Sequence, residues 1–418
     1  MKRPAAAADD KPHLVGTFIL PRTSFSRLGN PACSDEELAK ARSNGLKYAD
    51  LPSIGSGLAK LSENEFVGIT DRGPNGTATT SDGRTRRTFP LPRFCPTIVR
   101  FKLNDGQIQI EESIPLKDRR NHPISGLSNT EGDERLYESA DSKEPLPLDP
   151  NGVDPEGIRV LPNGNFLLVE EYAPSILVVS PQGQVLVRYT PASKPLPQAT
   201  YPTKPILPNI FTQRRINKGF ECLALSGDGK FAYAILQSPM GDSADPRFRN
   251  SRVARALKLD VSQPLAARVV GEYLLLTSPA STYSAQQAQS KISFSDAEWL
   301  GPERLLLIER GKGLVKLVLQ DFSQATNVQG RMDSSNLDFE NVATDLDALR
   351  VQPAQARTFC STRDVPGLPA DKLEGLALIG PDEIALSNDN DFGLGDKATG
   401  EPSRIWLVRI PALIQFTR

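Results

Sequence analysis

PEGIRVLPNGNFLLVEEY, residues 155–172, decides the fold. It reads as a short apolar strand, an Asn-Gly turn and a second apolar strand, which is the signature of a β-hairpin. Four other stretches repeat it: SGLAKLSENEFVGITDRG (56–73), FECLALSGDGKFAYAILQ (220–237), DAEWLGPERLLLIERGKG (296–313) and LEGLALIGPDEIALSNDNDFG (373–393). Self-similarity of this kind is the mark of a repeat architecture.

Two further strand segments follow most hairpins: TIVRFKLN and QIQIEESIPL after the first, SILVVSP and QVLVRYTP after the second, RALKLDV and EYLLLTS after the third. The fourth has GLVKLVLQ and a weaker segment near Arg357 to Cys360, and the fifth has RIWLVRI. The strand that the fifth unit lacks is expected from VGTFILPR near the N-terminus, which would close a ring. The expected fold is therefore all-β: a β-propeller of four-stranded antiparallel blades, closed by the N- and C-terminal strands. Five blades are identified, and residues 117–152 hold either a degenerate sixth or a long cap loop. One domain is expected from residue 14 to 418 behind a tail of residues 1–13, with long loops at 77–96, 117–152, 191–210 and 323–372. Helical periodicity is confined to EELAKAR, 36–42.

Composition agrees. With 35 Pro and 31 Gly in 418 residues the chain is heavily punctuated by turns. A balance of 49 basic and 50 acidic residues gives no electrostatic case for nucleic acid, and no apolar run is long enough to span a bilayer. A small solute and a monomer are expected. The start, MKRPAAAADDKP, lacks a signal-peptide core. Cys33, Cys95, Cys222 and Cys360 are far apart and form no CxxC, so they read as buried thiols or one long-range disulfide. Only His13 and His122 are present, neither in a context for a Ser-His-Asp triad or a histidine metal site.

In an antiparallel hairpin, the residue before the first strand lies beside the one after the second. That rule places Glu156 beside Glu170, Glu221 beside Gln237, Glu298 beside Glu309, Glu374 beside Asp389, and Asp71 beside Gly57. If the hairpins are innermost in their blades, these acids share one mouth of a central channel. Converging carboxylates repel unless a cation neutralises them, and an oxygen-only cluster suits Ca2+, or Mg2+. The expected metal ligands are Glu156, Glu374, Asp389, Asp391, Asp71 and Glu309, with Glu170 or Glu221 as general base. Arg72 and Arg310 would clamp an anionic substrate, with Asn217 beside it. The competing reading is that the acids cap strand ends or pair with Arg72, Arg159 and Arg310.

DPEGI (154–158), EEYAPSI (170–176), NKGFECLALSGDGK (217–230), LLLIERGKG (305–313), KLEGLALIGPDEIALSNDNDFG (372–393) and the early SGL…DRGPN (56–75) resemble the phytase-like, "esterase-like activity of phytase" family of β-propeller proteins. The resemblance implies hydrolysis of phosphoric or carboxylic esters, and export from the cytoplasm. The expectation is a metal-dependent hydrolase of a small-molecule ester. A binding module with a structural metal, presenting loops 77–96 and 238–252, and a lactone or sugar-ester hydrolase with Asn388 and Asn390 as neutral ligands are the alternatives.

Overall fold

The computed structural model describes residues 11–30, 33–132, 134–394 and 400–417; most of the expected tail, residues 1–10, lies outside them. The architecture is all-β with few helices. The innermost strands of the five hairpins are Gly57–Lys60, Pro155–Val160, Phe220–Leu225, Ser293–Gly301 and Leu373–Leu378. Each packs against the next, and the last packs against the first, so they form a closed ring.

Outward from this ring the sheets grow by antiparallel pairing. The third runs Phe220–Leu225, Phe231–Leu236, Val253–Asp260, Arg268–Leu276, and the fourth runs Ser293–Gly301, Arg304–Gly311, Leu314–Asp321, Gln355–Ser361. The second gains a fifth strand, Thr203–Leu207, parallel to Val185–Pro191. The proline-rich 191–208 segment, expected as a surface loop, thus contributes its end to the sheet. The first and fifth units are joined into one eight-stranded sheet, because His13–Ile19 pairs with Arg404–Arg409 and touches Gln107 at its far end. The N-terminal strand supplies the place that the last unit lacks.

Apolar layers fill the spaces between neighbouring sheets. Val67 and Ile98 meet Leu168 and Val179; Val169 and Val178 meet Leu223 and Ala234; Cys222 and Ile235 meet Leu305 and Leu307. Leu306 and Ile308 meet Leu376 and Trp406, and Ala385 and Ile405 meet Phe66 and Val99, completing the circle. Glycine permits the close approach at the axis: a Cβ on Gly57 would stand 2.5 Å from the carbonyl oxygen of Glu156. All four cysteines are buried free thiols, and burial pushes Cys33, Cys95 and Cys360 up to about 12.

Two expected loops have other structure. Gly76–Thr79 and Thr85–Thr88, inside the expected 77–96 loop, form a hairpin. The two-residue strand Leu136–Tyr137, the only strand among the described residues of 117–152, adds to it in parallel. The resulting three-stranded sheet contributes Thr77 and Arg87 to the wall of the central cavity. The expected helix runs Asp35–Ser43, with the Ser34 hydroxyl accepting from the Glu37 amide at 3.2 Å.

Candidate functional site

The inner hairpins are not regular ladders. Register shifts interrupt four of them at the same end: between Val169 and Glu170, Phe220 and Cys222, Phe294 and Ala297, and Leu373 and Leu376. Glu156 and Glu221 are the unpaired residues of the second and third hairpins, Glu374 lies in the interrupted stretch of the fifth and Asp296 in that of the fourth. A bulge leaves one residue out of the ladder and re-aims its side chain. Here it turns Glu156, Glu221 and Glu374 into a cavity of about 580 Å3 at the mouth of the ring.

The cavity is lined by nine acidic and six basic residues. Asp71, Glu156, Glu221, Glu374, Asp389, Asp391, Arg72, Arg310 and Asn217 all line it. Glu170 and Glu309 do not. Each is the residue just before the one that does: Glu171 and Arg310 face the cavity while their predecessors turn into the sheet. Glu170 is fully buried, with Arg188 Nη2 2.7 Å from its Oε1, and it accepts from the Ser175 hydroxyl at 2.6 Å and the Tyr172 amide at 3.0 Å. Glu309 accepts from the Tyr283 hydroxyl and the Ser278 amide, both at 2.7 Å. A general base at Glu170 and a metal ligand at Glu309 are therefore corrected to structural carboxylates. Glu298 is corrected too: Phe294 stands opposite Glu309, and Glu298 sits in mid-strand opposite Leu306.

At the second and third hairpins the acids are short of partners. One oxygen each of Asp154, Glu156 and Glu171 lies within 4.8 Å of the other two. Glu171 Oε1 and Glu221 Oε2 are buried without a hydrogen-bond partner. Burial, reinforced by the Glu221 charge, pushes Glu171 up to about 7, and burial lifts Asp154 and Glu221 to about 7 against the pull of Arg72 and Arg310 respectively. Glu156 is driven well above the usual carboxylate range by burial and by the charges of Glu221, Asp154 and Glu171. Burial and the charges of Asp389 and Asp154 do the same to Asp71.

The fifth hairpin is better compensated. Burial opposes ionisation of Asp389, but the Lys372 charge, the Ser53 hydroxyl at 2.6 Å and the Asp391 amide at 2.8 Å outweigh it and hold it below its ordinary value. Asp391 is paired with Lys372 and, through burial and the neighbouring Asp389, rises to about 6. Glu374 is paired with Arg310. Asn388 and Asn390 spend their amides on backbone: Asn388 accepts from the Arg404 amide at 2.6 Å, and Asn390 accepts from the Phe392 amide and donates to the Glu401 carbonyl, both at 3.0 Å. Neither lines the cavity, so the role of neutral ligand is corrected to that of strand-end cap.

Arg72 is likewise committed. Its Nη1 donates to Glu134 at 2.9 Å and Nη2 to Asn217 at 2.7 Å, while its Nε lies 3.4 Å from Asp154. Arg87 of the cap hairpin holds the other oxygen of Glu134. Arg72 thus braces the wall rather than clamping a substrate. His122 is exposed, 3.4 Å from Asp118 and outside the cavity.

Below the mouth lies a second charged group that the sequence only hinted at. Arg159 and Asp296 are buried on the axis, 3.2 Å apart. Arg159 donates to the carbonyls of Leu58, Ile158, Ala297 and Leu376, and Asp296 accepts from the amides of Ala297, Leu376 and Leu223. One ion pair thereby ties all five inner strands. Asp154 and Lys218 also went unselected in the sequence, though each stands within two residues of a candidate site residue, and Glu171 was placed at the mouth without a role.

The chain belongs to the phytase-like family described as "esterase-like activity of phytase", matched over residues 54–392. A curated relative, an uncharacterized secreted protein of Arthroderma benhamiae, is 32% identical over 126 residues, covering 26% of this chain and 24% of the relative, so the chain spans about a quarter of that protein's length. Among solved structures, the PQQ-bound aldose sugar dehydrogenase of Streptomyces coelicolor aligns over 96% of this chain and 99% of its own at 12% identity and a TM-score of 0.36. The periplasmic gluconolactonase of Pseudomonas aeruginosa aligns over 82% and 83% at 12% identity and a TM-score of 0.31. No helix among the described residues is long and apolar enough to cross a membrane.

Proposed function

We propose that the protein is a metal-dependent hydrolase of small polar esters, phosphoesters first among them, acting as a monomer at the mouth of a five-bladed β-propeller. The observation that carries this reading is the convergence of Asp154, Glu156 and Glu171 within 4.8 Å on an open cavity, beside buried oxygens of Glu171 and Glu221 that have no partner. Membership in the phytase-like family supports ester hydrolysis. The closed ring of five inner strands supports the count of five blades. The description of the Arthroderma benhamiae relative supports export.

The donor set fits a hard cation. All its atoms are carboxylate oxygens, and a spread of 4.8 Å matches two Ca2+–oxygen bonds of about 2.3–2.6 Å each. Asp154, Glu156 and Glu171 would hold Ca2+, or Mg2+, which when bound supplies Lewis-acid polarisation of a substrate oxygen. The chain's own groups do the rest. Glu221, lifted to about 7, is partly ionised at neutral pH and suited to take a proton from water. The water oxygen bonds to phosphorus or the carbonyl carbon, its proton passes to Glu221 Oε2, and the ester oxygen departs and is protonated from solvent. Arg310 faces the substrate, and Arg72 with Asn217 keeps the wall in place.

Elemental analysis, followed by turnover of p-nitrophenyl phosphate and p-nitrophenyl acetate with and without chelator, tests the reading. Bound calcium, chelator-sensitive turnover and a loss of about a hundredfold or more in Glu156→Gln are expected. A parent protein that turns over neither ester with calcium present hands the lead to the binding module.

A further inference from the structure

Gln237 lines the cavity with Glu221, and it is only 4% exposed. In the third hairpin Phe220 stands opposite Leu236, and Glu221 and Gln237 are the residues that follow on the two strands. The Gln237 backbone is fixed from both sides. Its amide donates to the Gly219 carbonyl at 2.9 Å, and its carbonyl accepts from the Phe294 amide at 2.8 Å, so the third and fourth hairpins together hold the residue at the cavity.

Both side chains carry an acceptor that has no donor. Glu221 Oε2 and Gln237 Oε1 are buried and have no hydrogen-bond partner among the described residues. An ionised carboxylate can only accept, so the Gln237 amide faces Glu221 with its nitrogen, and that donor favours the ionised form. The amide oxygen is thereby turned elsewhere. Arg310 does not meet this need: its Nη2 lies 3.9 Å from the other Glu221 oxygen, Oε1, and its Nη1 is paired with Glu374. Acceptors buried without donors are costly, and two on adjacent side chains call for one species that brings two donors. A water molecule does so. A cation would also meet both, but Glu221 stands outside the group Asp154, Glu156 and Glu171 whose oxygens converge within 4.8 Å.

We infer that Gln237 is a positioning residue: its Oε1 and Glu221 Oε2 together seat the water molecule that attacks the ester. The inference rests on the hydrolase reading and adds to it the group that aims the nucleophile. With one hydrogen on each acceptor, the water keeps its lone pairs free for the substrate. Its oxygen bonds to phosphorus or the carbonyl carbon, one proton passes to Glu221 Oε2, and the other stays on the new hydroxyl, still held by Gln237 Oε1. The ester oxygen leaves with the electron pair of the broken bond and takes its proton from solvent.

The test has a kinetic and a crystallographic arm, both on the full chain. Gln237→Leu keeps the size of the side chain and removes both amide atoms. On an ester that the parent turns over, kcat should fall about tenfold or more while KM stays within about twofold. Losing the donor to Glu221, which lies at about 7, should also move the acid limb of the kcat profile to higher pH. Gln320→Leu is the control: it removes an equally buried, unpartnered amide away from the cavity, and kcat and the pH profile should stay at the parent's values. An unchanged kcat in Gln237→Leu, or an acid limb that does not move, overturns the positioning role and leaves the hydrolase reading standing. In crystals of the parent, an oxygen atom about 2.5–3.0 Å from both Gln237 Oε1 and Glu221 Oε2 is expected. Neither oxygen contacting a common water, or a metal ion bound to both, overturns the seat. A parent that turns over no ester removes the hydrolase reading and the role in attack with it, while the water seat is still decided by the crystal.

Discussion

Two charged groups lie on the same axis, one above the other, and they have opposite histories. The lower, Arg159 with Asp296, is sealed: every inner strand contributes at least one backbone group to it. The upper, Asp154 with Glu156, Glu171 and Glu221, is open to the cavity and leaves carboxylate oxygens without donors. Bulges serve both, since Asp296 and Glu221 each lie where an inner hairpin slips. A buried charge with its partners in place locks the ring, and one without them is held ready for something that the chain does not supply.

The largest effect should come from the sealed group. Arg159→Met removes the cation and leaves Asp296 buried beside amides but without a counter-charge, while four carbonyls lose a donor. A loss of about 3–5 kcal/mol is expected, the range for breaking a buried pair from one side. Denaturant unfolding measures it. A variant within about 1 kcal/mol of the parent would mean that the ring does not depend on its axial ion pair.

Adjacent glutamates of the second hairpin sharpen the contrast at intermediate magnitude. Glu170→Gln weakens the hold on fully buried Arg188 and should cost about 2 kcal/mol or more. Glu171→Gln removes a charge that burial and Glu221 disfavour more than the nearby Lys218, Arg72 and Arg214 favour it, so in chelator it should leave stability unchanged or raised, and abolish the stabilisation that calcium gives the parent. The pH dependence follows from the same groups. Asp154, Glu171 and Glu221 lie at about 7 in the folded chain and near 4 when unfolded. Between these values the folded state binds more protons than the unfolded one, so the stability of the metal-free protein falls as pH rises from about 4 to 7. Glu171→Gln should flatten that slope. Thermal melts in chelator across this range, for both variants, decide it; a parent more stable at pH 8 than at pH 5 would reverse the sign.

That pair also marks how far the sequence could be read. Asn-Gly, Gly-Asp-Gly and Gly-Pro turns between apolar runs made the five hairpins visible, and the strand missing from the last unit pointed to VGTFILPR. Both signals are local. The mouth was legible as a region for the same reason, since hairpin ends cluster whatever their detailed register. What could not be read was the bulge. One unpaired residue exchanges the two faces of a strand, so the regular alternation chose Glu170 where Glu171 faces the cavity, and Glu309 where Arg310 does. Arg159 and Asp296 are 137 residues apart, and only the closed ring brings them together. Lys218 carried no signal beyond its place between Asn217 and Gly219.

The smallest expected effect comes from a carboxylate far from either group. Glu36 lies exposed in the first turn of the helix Asp35–Ser43, between Asp35 and Glu37, with Ser34 already capping the free amides. Its one contribution is a favourable interaction with the positive end of the helix dipole, about 0.3–1 kcal/mol at low salt, shared here among three acids and screened by the buffer. Glu36→Gln should therefore shift stability by no more than about 0.5 kcal/mol and leave turnover and calcium response at the parent's values. The same chemical change at Glu171 is expected to move turnover and the calcium response. If Glu36→Gln disturbed them comparably, the effects at the mouth would reflect the removal of any negative charge, and the distinction between sealed, open and solvated carboxylates would lose its force.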